Sequence, residues 1–330
     1  ALAHLASRAA HVCGDVLDGD GQLEDLTHLS NATRRTQDGL GFSPLDDIDK
    51  DNVARLELAW SLALPPGWVR ADTTGGMAQL PAALSELGLA LSPQACGQLL
   101  GHLDLIAKWN RVYNLTAVRD PAEMWTHHLL DSLAAVAPLA AYWANRCADM
   151  RPEDPRVQSP YGGPHILDVG SGAGLPGVTL AIALPQALAA MPGAMPKAAS
   201  ALGPGVPPAG AGVRVTCVDT VAKKAGFIRQ AAAELGLGGL QAVHGRIESL
   251  KPLQADVITC RAFASLSDIV SLTRLHLAPG GVWMALKGLV PTDEIKALPS
   301  DIDVFHVEPL QVPHLSAQRC LVWMRPRPQP

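Results

Sequence analysis

The chain has 330 residues, of which 48% are apolar, 17% charged and 4% aromatic. That mix excludes a chain disordered throughout, and the length allows about two domains with a sizeable core. The net charge of −5 is unevenly spread: residues 1–76 hold 6 Lys or Arg against 12 Asp or Glu, and residues 77–330 hold 20 against 19. The acidity belongs to one end, so it does not exclude a nucleic-acid partner for the rest. The six cysteines lie far apart with no CxxC pair. That excludes a zinc motif and a disulfide framework, and it fits a reducing compartment. The longest uncharged stretch, residues 169–196, is broken by four prolines and is a poor membrane span. The first residues lack the continuous apolar run of a secretory leader, and the chain reads as soluble and cytoplasmic.

In chain order, residues 1–76 read as an acidic, irregular tail. Within it, FSPLDDIDKDNVARLELAWS (residues 42–61) resembles a segment near the start of quinoprotein (PQQ-dependent) dehydrogenases. It carries none of that family's cofactor ligands, and the chain has no room for a propeller. The first methionine is Met77, and the functional unit is expected to start near it. Residues 77–148 read as a small helical domain. Ser92 suits an N-cap and Pro93 a first helical position. Leu99, Leu103, Ile106, Trp109 and Tyr113 then recur at helical spacing, with Leu100 alongside. A second helical region follows Pro121, with Met124, His128, Leu129, Ser132, Leu133 and Val136 on one side. Residues 149–164 form a linker rich in proline and charge.

From residue 165 strands alternate with helices. Strands are expected at 165–169, 213–218, 240–243, 256–260 and 281–286, with 304–307 and 320–324 closing the chain. This pattern predicts a doubly wound α/β sheet of seven strands. Residues 185–212 interrupt the first βαβ unit, and 20 of these 28 are Ala, Gly or Pro, so a disordered surface insertion is expected.

The strongest chemical signal is ILDVGSGAGLPG (residues 166–177). A strand, a glycine-rich turn and a helix set backbone N–H groups and a helix N-terminus against a ligand. Gly172, Gly174 and Gly177 satisfy the G-x-G-x-x-G of dinucleotide oxidoreductases. Asp168, Gly170, Gly172 and Gly174 match in full the pattern of S-adenosylmethionine-dependent methyltransferases, an acid two residues before G-x-G-x-G. A cationic ligand suits a nearby carboxylate, so the methyltransferase reading is preferred. Asp219, ending the second strand, is placed to accept hydrogen bonds from ribose hydroxyls. Ile247 and Glu248 follow the third strand, where such folds meet an adenine. Arg261 and Lys287 end the fourth and fifth strands, at the edge where open α/β sheets bind ligands. Both are read as orienting groups.

Residues 77–330 resemble the bacterial rRNA small subunit methyltransferase G family, also called glucose-inhibited division protein B. The resemblance rests on KWNRVYNLTAVRD (108–120), HLLDS (128–132), LDVGSGAGLPG (167–177), RAFASL (261–266) and ALKG (285–288). It implies a Rossmann-like class I methyltransferase that uses S-adenosyl-L-methionine. It implies methyl transfer to N7 of guanine 527 in 16S rRNA, with the small ribosomal subunit or an assembly intermediate as partner. Cofactor contacts carried over by motif are Gly170, Leu175, Ile247, Glu248 and Arg261. Guanine N7 is a bare acceptor, so neither a general base nor a metal is expected. Asn114, Arg119 and His128 are candidate substrate contacts, with His127 and Asp131 nearby. Alternatives are a methyltransferase of the same fold acting on another RNA or a small molecule, and a non-catalytic RNA-binding assembly factor.

Overall fold

The computed structural model describes residues 73–148, 150, 163–191 and 212–328. The quinoprotein-like segment, most of the acidic tail, and most of the linker and the insertion lie outside the described residues.

Helix α1 (Thr73–Glu86) runs through Met77. Helix α2 (Pro93–Asn110) begins as expected, with the Ser92 hydroxyl accepting the Ala95 N–H. Its buried face is Ala95, Leu99, His102, Ile106 and Asn110. The expected stripe overran the helix at Tyr113. Asn110 ends it by turning its side chain to the loop beyond: Oδ1 accepts from Thr116 N at 3.1 Å and Nδ2 donates to the Val118 carbonyl at 3.0 Å. Tyr113 is then carried out of the helix, although its ring stays 5.3 Å from that of Trp109.

The second helical region is a composite. Helix α3 (Pro121–Met124) is capped by Asp120. It passes into a π-helical turn, Trp125–Leu130, and then α4 (Asp131–Leu133). The extra residue of a π turn frees backbone carbonyls, and such turns recur at functional sites. Here the His127 carbonyl is left to accept from Arg261 at 2.6 Å. Helix α5 (Val136–Ala148) completes this part.

The sheet has seven strands: β1 (His165–Val169), β2 (Arg214–Asp219), β3 (Leu240–His244), β4 (Ala255–Arg261), β5 (Leu277–Lys287), β6 (Ile302–Leu310) and β7 (Arg319–Pro326). Their order is β3-β2-β1-β4-β5-β7-β6. The first five are parallel, and β7 runs antiparallel between β5 and β6. Side chains alternate across the sheet with a period of two. Ile166, Val215, Cys217, Val257, Val282, Met284, Leu286, Leu321 and Trp323 join one core. Leu167, Val169, Val218, Ile258, Cys260, Trp283, Ala285, Val322 and Met324 join the other.

The first core also takes in Leu80, Leu99, Ile106, Leu130 and Trp143 of the helical region. That region therefore shares a core with the sheet, and the linker separates sequence patterns rather than cores. Burying each such side chain contributes about 1.5–3 kcal/mol. Helix α7 (Ala222–Glu234) adds Ala225, Phe227, Ile228 and Ala231 to the first core, and the opposite face is covered by α8 (Leu266–Thr273), through Leu266, Ile269 and Val270.

One expected boundary is corrected. Helix α6 (Gly177–Ala190) continues through Pro185, with Leu184, Ala187 and Leu188 buried. Residues 185–190 are thus helix, not insertion. A proline removes one helical N–H, but the apolar face continues past it. Gln186 on that extension exchanges hydrogen bonds with Ser92, at 2.6 and 3.0 Å.

Candidate active site

The glycine turn follows β1 at the carboxyl edge of the parallel strands. Gly170 has φ +70°, and an added Cβ would lie 2.3 Å from the Phe263 ring. Only glycine meets both constraints. Gly177, at the start of α6, is held by proximity: a Cβ would stand 2.4 Å from Cys217 Sγ and 2.7 Å from Asp168 Oδ2.

Two carboxylates shape the turn. Asp168 is fully buried and its Oδ2 accepts the Gly177 N–H at 2.9 Å. Its Oδ1 has no hydrogen-bond partner among the described residues. Burial raises its pKa to about 6, and the Gly177 bond works against that rise. Asp219 accepts the Gly172 N–H at 2.9 Å and the Val221 N–H at 2.8 Å. His102 supports the turn from α2, with Nε2 3.0 Å from the Ala173 carbonyl.

Two cavities border the turn. A 580 Å³ cavity is lined by Gly170, Gly172, Leu175, His128, Arg261 and Lys287, among others. A 360 Å³ cavity is lined by Gly170, Asp219, Arg246, Ile247 and Glu248, among others. Gly170, Ala262 and Phe263 line both and mark their common border.

The charges in the larger cavity are arranged by the alternation of the strands. Arg261 falls on the face of Val257, toward the helices, and meets Asp131 at 3.0 Å. Lys287 falls on the face of Trp283 and Ala285, and meets Glu294 of α9 (Thr292–Lys296) at 2.8 Å and the Ala264 carbonyl at 3.1 Å. His128 Nε2 lies 2.8 Å from Thr116 Oγ1, and its Nδ1 has no partner among the described residues. Burial, with Arg261 adding to it, lowers the His128 pKa to about 4, so the ring is neutral near pH 7.

Most of the residues singled out from the sequence line one of the two cavities. Four do not. Asp168 lies beneath the turn, against α6. Gly174 turns toward the core, where an added Cβ would meet Val178. Asn114 and Arg119 are exposed and bonded to each other at 2.8 Å, because Asn110 folds their loop outward. Sequence reasoning missed Thr116, Phe263 and Arg319, all of which line the larger cavity. Among the described residues no cluster suited to a metal ion occurs. No helix among them is long and apolar enough to cross a membrane.

A seven-stranded mixed sheet with this order, five parallel strands and an antiparallel β7, whose first strand leads into an acid-led glycine turn between paired cavities, defines a Rossmann-like methyltransferase. A family model described as rRNA small subunit methyltransferase G (GidB) matches residues 95–150 and 203–322. The chain is 52% identical to the ribosomal RNA small subunit methyltransferase G of Methylibium petroleiphilum, over 72% of this chain and 89% of that one. It is 51% identical to the Acidovorax sp. protein of the same name, over 73% of this chain and 92% of that one. The chain belongs to the rRNA small subunit methyltransferase G family. Among solved structures, TrmN from Thermus thermophilus aligns with a TM-score of 0.34 at 22% identity, over 59% of this chain and 53% of that one. The quinoprotein likeness of residues 42–61 finds no support in these matches.

Proposed function

We propose that this protein transfers the methyl group of S-adenosylmethionine to small-subunit rRNA, at N7 of guanine 527 in 16S rRNA. The observation that carries the reading is the glycine turn itself, tied by Gly172 to Asp219 and set between two cavities that meet at Gly170.

The residues fit this cofactor. In the smaller cavity, Asp219 still has lone pairs for ribose hydroxyls beyond its two backbone bonds. Ile247 and Glu248 supply an apolar surface and an acceptor beside an adenine. Gly170, Gly172 and Leu175 let the backbone approach the amino-acid arm, and Arg261 faces it from β4. Asp168 and Gly174 act by shaping the turn rather than by contact. Bound there, the cofactor supplies a methyl group activated by its sulfonium.

Guanine N7 holds a lone pair and no proton at neutral pH. The chain therefore has to orient and desolvate the base, not deprotonate it. His128 suits that task. It lines the larger cavity, is held against Thr116, and being neutral adds no charge beside a cationic methyl donor. Arg261 and Lys287 orient the base or the cofactor. RNA binding draws on a local basic face, since residues 77–330 carry a net charge of only +1.

The test is transfer of labelled methyl from S-adenosylmethionine to small subunits prepared from a strain lacking the family enzyme. Label is expected at one guanine, mapped by cleavage at N7-methylguanine. Label elsewhere, or none, refutes the assignment. Calorimetry should show binding of S-adenosylmethionine and none of NAD.

A further inference from the structure

Asp131 is the meeting point of two arginines from distant parts of the chain. It is 4% exposed and stands directly after the π turn. Its Oδ2 accepts from Arg261 Nη1 at 3.0 Å, and its Oδ1 from Arg319 Nε at 2.7 Å. One carboxylate between two guanidiniums leaves one positive charge in excess. Each guanidinium has five N–H donors in a fixed fork. Arg261 Nη1 also serves the His127 carbonyl, and Arg319 Nη1 the Gln318 carbonyl. The rest of each fork stays available to a ligand in the larger cavity, which both residues line. Their side chains keep 20% and 21% of their surface exposed.

The position of Arg319 indicates which ligand. Strand β7 is antiparallel, and Cys320 pairs with Lys287, so Arg319 at its start lies at the edge where the parallel strands end. Alternation puts it on the face of Leu321 and Trp323, the helical face that also holds Arg261. Strand β7 lies two places from β4, on the side away from β1 and β2. At about 4.8 Å per strand, Arg319 is rooted roughly 10 Å further from the glycine turn than β4 is. The fork thus faces the substrate side of the cavity.

We propose that Arg319 and Arg261, splayed by Asp131, form a clamp for an oxyanion, and that this oxyanion is a backbone phosphate of the RNA beside the target base. The proposal rests on the methyltransferase reading above. Bidentate guanidinium contacts fix the register of a strand, which positions the base without reading its sequence.

Arg319→Ala and Arg319→Gln decide the matter; the glutamine can still donate to Asp131 and guards against a folding defect in the alanine variant. Three quantities are measured: the salt dependence of small-subunit binding, kcat and KM for methyl transfer, and the calorimetric Kd for S-adenosylmethionine. In both variants the slope of log affinity against log salt becomes shallower by about one, the mark of one lost phosphate contact. KM for the subunit rises about tenfold or more, while the cofactor Kd stays within about twofold. Unchanged slope and KM overturn the clamp. A cofactor Kd that weakens in step identifies the anion as the cofactor carboxylate and overturns it too. Wild-type methyl transfer is the control for the proposed function, and the clamp is judged on the differences between variants.

Discussion

His102 offers a test of how the helical region supports the glycine turn. It is 1% exposed, and its Nε2 contacts the Ala173 carbonyl at 3.0 Å. A carbonyl only accepts, so Nε2 carries the proton and the neutral ring has a bare Nδ1. Burial lowers its pKa from 6.5 to about 4; the Ala173 bond offsets part of this, and nearby His128 adds slightly to it. The sign follows from linkage. Below pH 6.5 the unfolded chain takes up a proton that the folded chain refuses, so stability is full above that point. It falls as the pH drops toward 4 and is level below. The whole loss is about 3 kcal/mol, with about 2 kcal/mol already gone at about pH 5. Urea unfolding of wild type and His102→Gln at about pH 7.5 and about pH 5 isolates this contribution. His128 and His165, also lowered to about 4, are present in both proteins and cancel. So does Asp168, which is raised to about 6 and therefore gains stability on acidification. Wild type should lose about 2 kcal/mol more than the variant over this interval. Equal losses would refute the reasoning.

Two further outcomes follow from the turn. In Gly177→Ala the new methyl falls 2.4 Å from Cys217 Sγ and 2.7 Å from Asp168 Oδ2. Overpacking of this kind costs about 1–3 kcal/mol, so the melting temperature should drop by several degrees; an unchanged one would show that α6 shifts freely. Asp219→Ala leaves the Gly172 and Val221 N–H groups unaccepted and removes the acceptor assigned to the ribose. Calorimetric affinity for S-adenosylmethionine should weaken at least about tenfold, and an unchanged Kd would remove Asp219 from the cofactor site.

Local constraints were legible in the sequence. The Ser92 cap, the glycine turn and the strand–helix alternation each depend on neighbours within a few residues. The errors arose where composition or distance took over. Residues 185–190 looked like insertion because proline and alanine dominate them, yet Leu184, Ala187 and Leu188 continue the helical face of α6. His102 gives no core signal in the sequence, because an apolar stripe has no place for an imidazole. What makes it core is the carbonyl of Ala173, 71 residues away. Arg319 had no local signal either, and its partner Asp131 is 188 residues distant. Arg261 and Lys287 are legible because each ends a parallel strand. Arg319 is not, because an antiparallel strand brings its first residue to that edge.

Orientation was more accessible than it seemed. Asp168 was expected to face the ligand because the ligand is cationic. It lies in β1 between Leu167 and Val169, which join one core, and beyond Ile166, which joins the other. Period-two alternation therefore sends Asp168 to the side of Ile166. A right-handed crossover returns α6 over that same side. The carboxylate is then forced beneath the helix, where it meets the Gly177 N–H at the positive end of the helix dipole. The same alternation places Asp219, Arg261 and Arg319 on the helical face and Lys287 on the other. That is why Asp131 gathers the two arginines while Glu294 takes the lysine. An acid two residues before the first glycine thus organises the turn through the backbone. Asp168 shares the helical face with Asp219, Arg261 and Arg319, so parity alone does not separate the two roles; Asp168 stands one residue inside β1, beneath α6, whereas the other three stand at strand ends that open on the cavities.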